Sequence, residues 1–408
     1  MPAPFRKCLC RSVSAVGTFV ISGLPSPARE TSDGQFRWRS QLVHHPPYNE
    51  IGRQRLVAIL QVLTHCKLSD NDGIHVFALE AAHFERLETN KVAHQKLLEM
   101  ETGAVPNPSE KRVAVVTGGN KGIGLEVCRQ LASKGVAVLL TSRDETRGKE
   151  AARRLHASGL PDVVYHKLDV SDPSSAACLA EFVKNKFGKL DILINNAGVI
   201  GATAQIDTTA PLKDVLVGKN ATERLQWLLE HSTETYEEAE ECLRINYFGT
   251  KYVTEALLPL LHASSDGRLV NVSSNYGLLR YFSSEDLKQE LNNIEKLTIE
   301  RLDEMSRLFL CDYKNGQLKS HGWPADAEYL AYKVSKALIN GYTRIMANNF
   351  PALRVNSVHP GYCMTDINYD TGEHTAEEGA DSIVMVALLP AGGPTSVFFY
   401  RYEVAPVV

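Results

Sequence analysis

The chain has 408 residues, 44% hydrophobic and 23% charged, the composition of a water-soluble globular protein of one large or two ordinary domains. A net charge of -4 leaves no basic excess to neutralise phosphates, which argues against a nucleic-acid partner, and no uninterrupted apolar run is long enough to span a bilayer. The eight cysteines are scattered, and only Cys8 and Cys10 lie close together, with no second pair or histidine at a ligand spacing. Free thiols in a reducing compartment are therefore expected, and no metal centre is.

Residues 1–29 contain Arg6, Lys7, Arg11 and Arg29, several serines and no acid before Glu30, a composition shared by transit peptides. The expected location is the cytoplasm, with a plastid as the alternative if 1–29 acts as a targeting segment. Residues 30–110 mix polar clusters, Pro46-Pro47 and one helix-like run over 53–64. The N-terminal extension 1–110 is equally compatible with a small helical appendage, a disordered arm or sequence absent from the mature protein.

A different pattern begins near Ser109. Strands are predicted over 113–117, 136–141, 163–168 and 190–194. Between them come a helix ending near Lys134, where Gly135 stops it, and helices over 147–157 and 174–187. Further strands are predicted over 268–272, 354–358 and 396–400, with long helices over 236–259 and 332–349 between them. Strand alternating with helix at βαβ spacing predicts an α/β protein: a Rossmann-type, doubly wound parallel sheet covered on both faces by helices. One catalytic domain, 111–408, accounts for the pattern.

Residues 117–124 read Thr-Gly-Gly-Asn-Lys-Gly-Ile-Gly, between the first strand and the first helix. There, Gly118, Gly122 and Gly124 form the turn and clear space for a diphosphate at the helix N-terminus, where free N–H groups attract anions. Asn120, Lys121 and Ile123 share that loop. An acid ending the second strand would bind the ribose hydroxyls of NAD and repel a 2′-phosphate. Here the strand ends Thr141-Ser142-Arg143, and Asp144 comes one place later. Arg143 offers a planar donor fork for phosphate and Lys121 a second positive charge, so NADPH is the expected cofactor. Far downstream, Tyr332-Lys-Val-Ser-Lys336 sets a phenol and an ammonium on one helical face. A free phenol titrates near pH ~10, and a nearby ammonium and a cationic nicotinamide would lower that value. Together the two motifs point to a nicotinamide-dependent oxidoreductase. His359 has no ligand partners nearby and reads as packing.

These motifs, with Asn195-Asn196-Ala197-Gly198, Ser273-Ser274 and Pro360-Gly361, resemble the short-chain dehydrogenase/reductase family over residues 111–408. The long inserts resemble its monomeric carbonyl reductase branch, in particular the plant menthone/neomenthol and salutaridine reductase group. The resemblance implies that Asn196, Ala197 and Gly198 shape the nucleotide site and that Asp169 and Val170 contact adenine. It assigns Tyr332 as proton donor, Lys336 to the nicotinamide ribose, and Ser274 to the substrate carbonyl. It makes Asn246 the residue holding a water that links Lys336 to solvent. It gives Pro360, Gly361 and Thr365 to the loop over the nicotinamide, with Thr365 on its carboxamide or a phosphate. By the same resemblance a monomer is expected.

Ser274 and Tyr332 stand further apart than in ordinary members of that family. In the gap, Leu287, Leu291, Ile294, Leu302, Met305 and Phe309 recur at helical spacing, predicting a packed helical insert over 280–328 beside the substrate cleft. The stretch 200–232 is expected to form another cleft wall. Tyr276, Trp323 and Tyr362 fit either an aromatic lining or ordinary core. The resulting expectation is reduction of a ketone or aldehyde on a small hydrophobic metabolite, a terpenoid, alkaloid or similar carbonyl. The same residues would serve alcohol oxidation. Reduction of a conjugated double bond is disfavoured by the tyrosine, and a non-catalytic NADPH-binding regulator would have no need of a proton donor.

Overall fold

Val113–Val116 form strand β1, and all four side chains are buried, as expected of a parallel strand covered on both faces. The computed structural model describes residues 111–205, 212–325 and 329–407; segment 1–29 and the rest of 1–110 lie outside the described residues. After β1 come helix α1 (Gly122–Ser133), β2 (Ala137–Ser142), α2 (Glu145–Ala157), β3 (Val163–Lys167), α3 (Pro173–Phe187) and β4 (Ile192–Asn195). The boundaries have local causes. Asp144 caps α2 by accepting from the Arg147 amide, so α2 begins two residues before the predicted 147. Asp172 caps α3, whose first residue is Pro173, and Gly188 ends it in the left-handed conformation at φ 71°.

Beyond β4 lies a short ribbon pairing Thr203–Ala204 with Ser232–Thr233, and within it helix α4 (Ala221–Glu230). The predicted 236–259 helix is three pieces: α5 (Tyr236–Leu243), a π turn (Arg244–Phe248) and α6 (Gly249–His262). Next come β5 (Arg268–Val272), α7 (Glu285–Asn292), α8 (Ile299–Lys314), α9 (Leu330–Asn349), β6 (Arg354–His359), α10 (Ala376–Ala387), β7 (Phe398–Tyr400) and β8 (Glu403–Ala405).

The sheet runs β3-β2-β1-β4-β5-β6-β7-β8. Strands β1 to β7 are parallel, while β8 folds back antiparallel on β7 after a turn in which Arg401 adopts φ 55°. Sequence analysis did not predict β8, because three residues carry too little periodicity to read. The chain reverses its direction of travel across the sheet between β1 and β4. That switch point opens a crevice at the carboxyl ends of the strands.

The insert is packed. Leu302, Met305 and Phe309 of α8 are fully buried, and α8 lies against both α5 and α9. The Phe309 ring centre is 5.6 Å from that of Trp323 and 5.9 Å from that of Tyr313. Phe309→Ala should therefore cost about 3–5 kcal/mol of stability, read as a lowered midpoint in denaturant unfolding.

Candidate active site

At the switch point lies a cleft of about 950 Å³, lined by every site residue named above except Asn246. Helix α1 enters it without a side-chain cap: Lys121, at the N-cap position, makes no capping bond. Its first residues, Gly122, Ile123 and Gly124, line the cleft, and the free N–H groups of such a helix start attract an anion. The glycines beneath them are sterically required. A side chain at Gly124 would put its Cβ 2.4 Å from both the Asn196 amide nitrogen and the Gly118 carbonyl. Gly118, at φ 66°, would press a Cβ to 3.1 Å from Ala197 Cα. Thr117 Oγ1 accepts from the Asn196 and Ala197 amides at 2.9 Å each, and Asn196 Nδ2 donates to the Thr117 carbonyl at 2.9 Å. These bonds lock the two loops into one cradle. Asn195 turns the other way, its amide nitrogen donating to Thr254 and Asn271.

Charge gathers at one end of the cleft. Arg143 is exposed and makes no ion pair among the described residues. Arg147, one helical turn further, also lines the cleft, 3.4 Å from Asp144. Lys121 reaches across to Asp366 at 2.7 Å, with both side chains more than half exposed. At the other flank Asp169 accepts from the Ser171 amide and hydroxyl at 3.0 and 2.7 Å, leaving one carboxylate oxygen for a ligand. Val170 abuts Gly249, where any Cβ would sit 2.8 Å from its methyl group. The loop after β6 closes the top. Gly361 adopts φ 97°, a conformation open to glycine, and Thr365 packs against Gly122.

Ser274, Tyr332 and Lys336 meet where this cradle joins the open end. Lys336 is buried, its ammonium 5.4 Å from the centre of the Tyr332 ring and donating to the Val272 carbonyl at 2.8 Å. The loop after β5 fits tightly to α9: a Cβ on Gly277 would stand 2.6 Å from the Lys336 carbonyl carbon. Ser274 lines the cleft with Tyr332, its Oγ donating to Asn275 Oδ1 at 3.2 Å and accepting from the Tyr276 amide at 3.2 Å. Desolvation pushes the Tyr332 phenol above its ordinary value, with the nearby Ser274 hydroxyl pulling it partly back. The lowered phenol expected from sequence is thus not found in the protein alone. Burial weakens Lys336 as well, pushing its ammonium down to about 8. A phenol kept protonated suits a proton donor to a carbonyl oxygen.

Asn246 sits in the π turn, fully buried and outside the cleft wall. Its Oδ1 accepts from the Val199 amide at 2.8 Å, and its Nδ2 donates to the Val199 carbonyl at 2.9 Å and to Ser335 Oγ at 3.1 Å. Here it braces the Gly198–Val199 wall against α9. His359 is buried and pushed down to about 3 by burial, hence neutral, its ring 5.0 Å from Tyr400.

A family model described as short chain dehydrogenase matches residues 112–285. Short-chain dehydrogenase/reductase 1 of Saponaria officinalis is 48% identical over 300 residues, covering 73% of this chain and 97% of that protein. The chain belongs to the short-chain dehydrogenase family. Two solved family structures superpose on it. Salutaridine reductase from Papaver somniferum does so with TM-score 0.67 and 47% identity over 71% of this chain and 99% of that one. Menthone neomenthol reductase from Mentha piperita gives 0.61 and 44% over 72% and 100%.

The substrate side of this short-chain dehydrogenase is rich in phenols. Tyr276, Tyr281, Tyr329 and Tyr362 line the cleft around Tyr332, joined by Leu225 and Leu228 of α4. The Tyr276 and Tyr332 rings meet edge to face at 6.3 Å. Trp323 lies instead in the core, 2% exposed, its indole donating to Asp312 at 2.8 Å. Of the described residues in 280–328, Tyr281 reaches the cleft, while α7 and α8 pack against α9. Sequence reading missed Arg147, Asp366 and Tyr329. Arg147 carries a signal in hindsight, since it follows Arg143 by one turn at a helix start. Asp366 and Tyr329 reach the cleft through loop geometry, which leaves no periodic trace.

Proposed function

We propose that this enzyme reduces a ketone or aldehyde group on a small hydrophobic metabolite to an alcohol, using NADPH. When bound, the nicotinamide supplies the hydride. Tyr332 supplies the proton to the carbonyl oxygen, Ser274 donates a hydrogen bond to that oxygen, and Lys336 holds the ribose and the phenol in place. The observation that carries this reading is the half-buried Tyr332 phenol, held above its ordinary value and lining one cleft with Ser274, Lys336 and a cradle shaped for a diphosphate. Alcohol oxidation runs through the same groups in reverse, and cofactor ratios set the direction. The test is loss of absorbance at the reduced-nicotinamide band when NADPH meets a panel of cyclic and aromatic ketones. Turnover of none of them, with NADPH bound, would leave a binding protein in place of an enzyme.

Arg143 and Arg147, with Lys121 across the cleft, support NADPH over NADH. Arg143→Ala should weaken NADPH about 10- to 100-fold, the worth of a charge-assisted bond, and leave NADH unchanged. Fluorescence titration with both cofactors reads the difference. Packing of α7 and α8 over the flank of α9 supports a monomer, measurable by light scattering. Free Cys128, Cys178, Cys242, Cys311 and Cys363 support a reducing compartment, the cytoplasm, with a plastid as the alternative set by 1–29. Fluorescent fusions with and without 1–29 distinguish the two.

A further inference from the structure

The catalytic helix begins abruptly. Tyr329 precedes it in the left-handed conformation at φ 63° and offers no side-chain cap, so the first amides of α9 need a partner from elsewhere. The partner is Glu234, far upstream in the short link between the Ser232–Thr233 ribbon strand and α5. Its Oε2 accepts from the Leu330 amide at 2.7 Å and its Oε1 from the Ala331 amide at 2.8 Å. The link is held twice more. The Tyr313 hydroxyl of α8 donates to the Glu234 backbone carbonyl at 2.7 Å, and Ser232 Oγ lies 3.3 Å from the Tyr329 hydroxyl. The ribbon strand follows α4, whose Leu225 and Leu228 line the substrate side of the cleft.

We propose that Glu234 is a positioning residue: its carboxylate, bonded to the first two amides of α9, fixes the turn that carries Tyr332 and ties that turn to the cleft wall. Tyr332 follows Ala331 directly, so a shift in this turn moves the phenol. A misplacement of about 1 Å at a reacting group costs roughly 100-fold in rate. The inference rests on Tyr332 as proton donor.

The brace depends on charge. Burial pushes the Glu234 carboxyl up to about 7, opposed by the Leu330 and Ala331 amide bonds and by Lys333 on α9, while Glu238 on α5 pushes it further up. Tyr313 on α8 and Cys242 on α5 also face it, and both are pushed up by burial and by Glu234, so both stay neutral. Ionised Glu234 offers an acceptor to each amide. Protonated, one oxygen becomes a hydroxyl and one amide loses its bond. Turnover should therefore fall as pH drops through about 7.

The test compares wild type, Glu234→Gln and Glu234→Asp, with NADPH and menthone as the probe ketone. In Glu234→Gln kcat should fall about 10- to 100-fold while the NADPH dissociation constant stays within about twofold. The acid limb of the kcat profile should vanish in this variant, and Glu234→Asp should restore part of both. Protection of the Leu330 and Ala331 amides from exchange, taken relative to the intrinsic rate at each pH and measured without substrate, should fall in Glu234→Gln and, in wild type, fall below the same pH. A folded Glu234→Gln enzyme with wild-type kcat, acid limb and amide exchange would overturn the proposal. If wild type leaves menthone unreduced, the ketone reading has failed for that probe and the exchange data alone decide the brace. If Glu234→Gln does not fold, pH-independent protection of these two amides in wild type overturns it.

Discussion

Tyr332→Phe abolishes ketone-dependent oxidation of NADPH, lowering kcat about 1,000-fold, within the range a positioned general acid contributes. Phenylalanine keeps the ring, and with it the edge-to-face contact to Tyr276 at 6.3 Å, so the cleft retains its shape. What disappears is the oxygen that would hand its proton to the substrate. The diphosphate cradle lies on α1 and the Asn196–Gly198 loop, so NADPH affinity should stay within about threefold, a change well under the ~1.4 kcal/mol of a tenfold step. Stopped-flow absorbance with cofactor titration separates the two quantities. A variant that still turned over at a tenth of the wild-type rate would mean the proton comes from elsewhere. Ser274→Ala, which removes the hydroxyl that lines the cleft with the phenol, provides the companion measurement.

Lys336→Met should lower kcat about 100- to 1,000-fold, equivalent to ~3–4 kcal/mol at the transition state. Methionine matches the length of the side chain, so the tight fit of α9 against Gly277 survives. Two things are lost: the donor to the Val272 carbonyl and the positive charge 5.4 Å from the Tyr332 ring. The stability signature runs in the opposite sense. Burial pushes the Lys336 ammonium down to about 8 from its ordinary 10.5, so between those values the unfolded chain binds the extra proton. Stability therefore rises with pH across that window and is lost as pH falls back through about 8. The methionine variant has no such titration. Relative to wild type it should gain stability at pH 7 and lose that advantage by pH 10, checked by urea midpoints at both. A difference independent of pH would show that the ammonium is better solvated than its burial implies.

Much of the cofactor half was legible along the chain, because its parts are contiguous. Residues 117–124 sit between a four-residue apolar strand and an amphipathic helix, and their glycines answer a local need: a turn and a close backbone approach. The Tyr332–Lys336 pair shows for the same reason, since one helical turn places both on one face. The parallel sheet follows from strand and helix alternating at a set spacing. Tertiary structure alone decided the rest. That Glu234 caps α9, that Asp366 meets Lys121, that Trp323 belongs to the core and Tyr329 to the cleft, all depend on segments brought together from distant parts of the chain. The protonation of Tyr332 belongs with them. An ammonium and a cationic nicotinamide were expected to lower the phenol; in the protein alone desolvation of Tyr332 and Lys336 outweighs the ammonium, and desolvation is a property of the packed molecule.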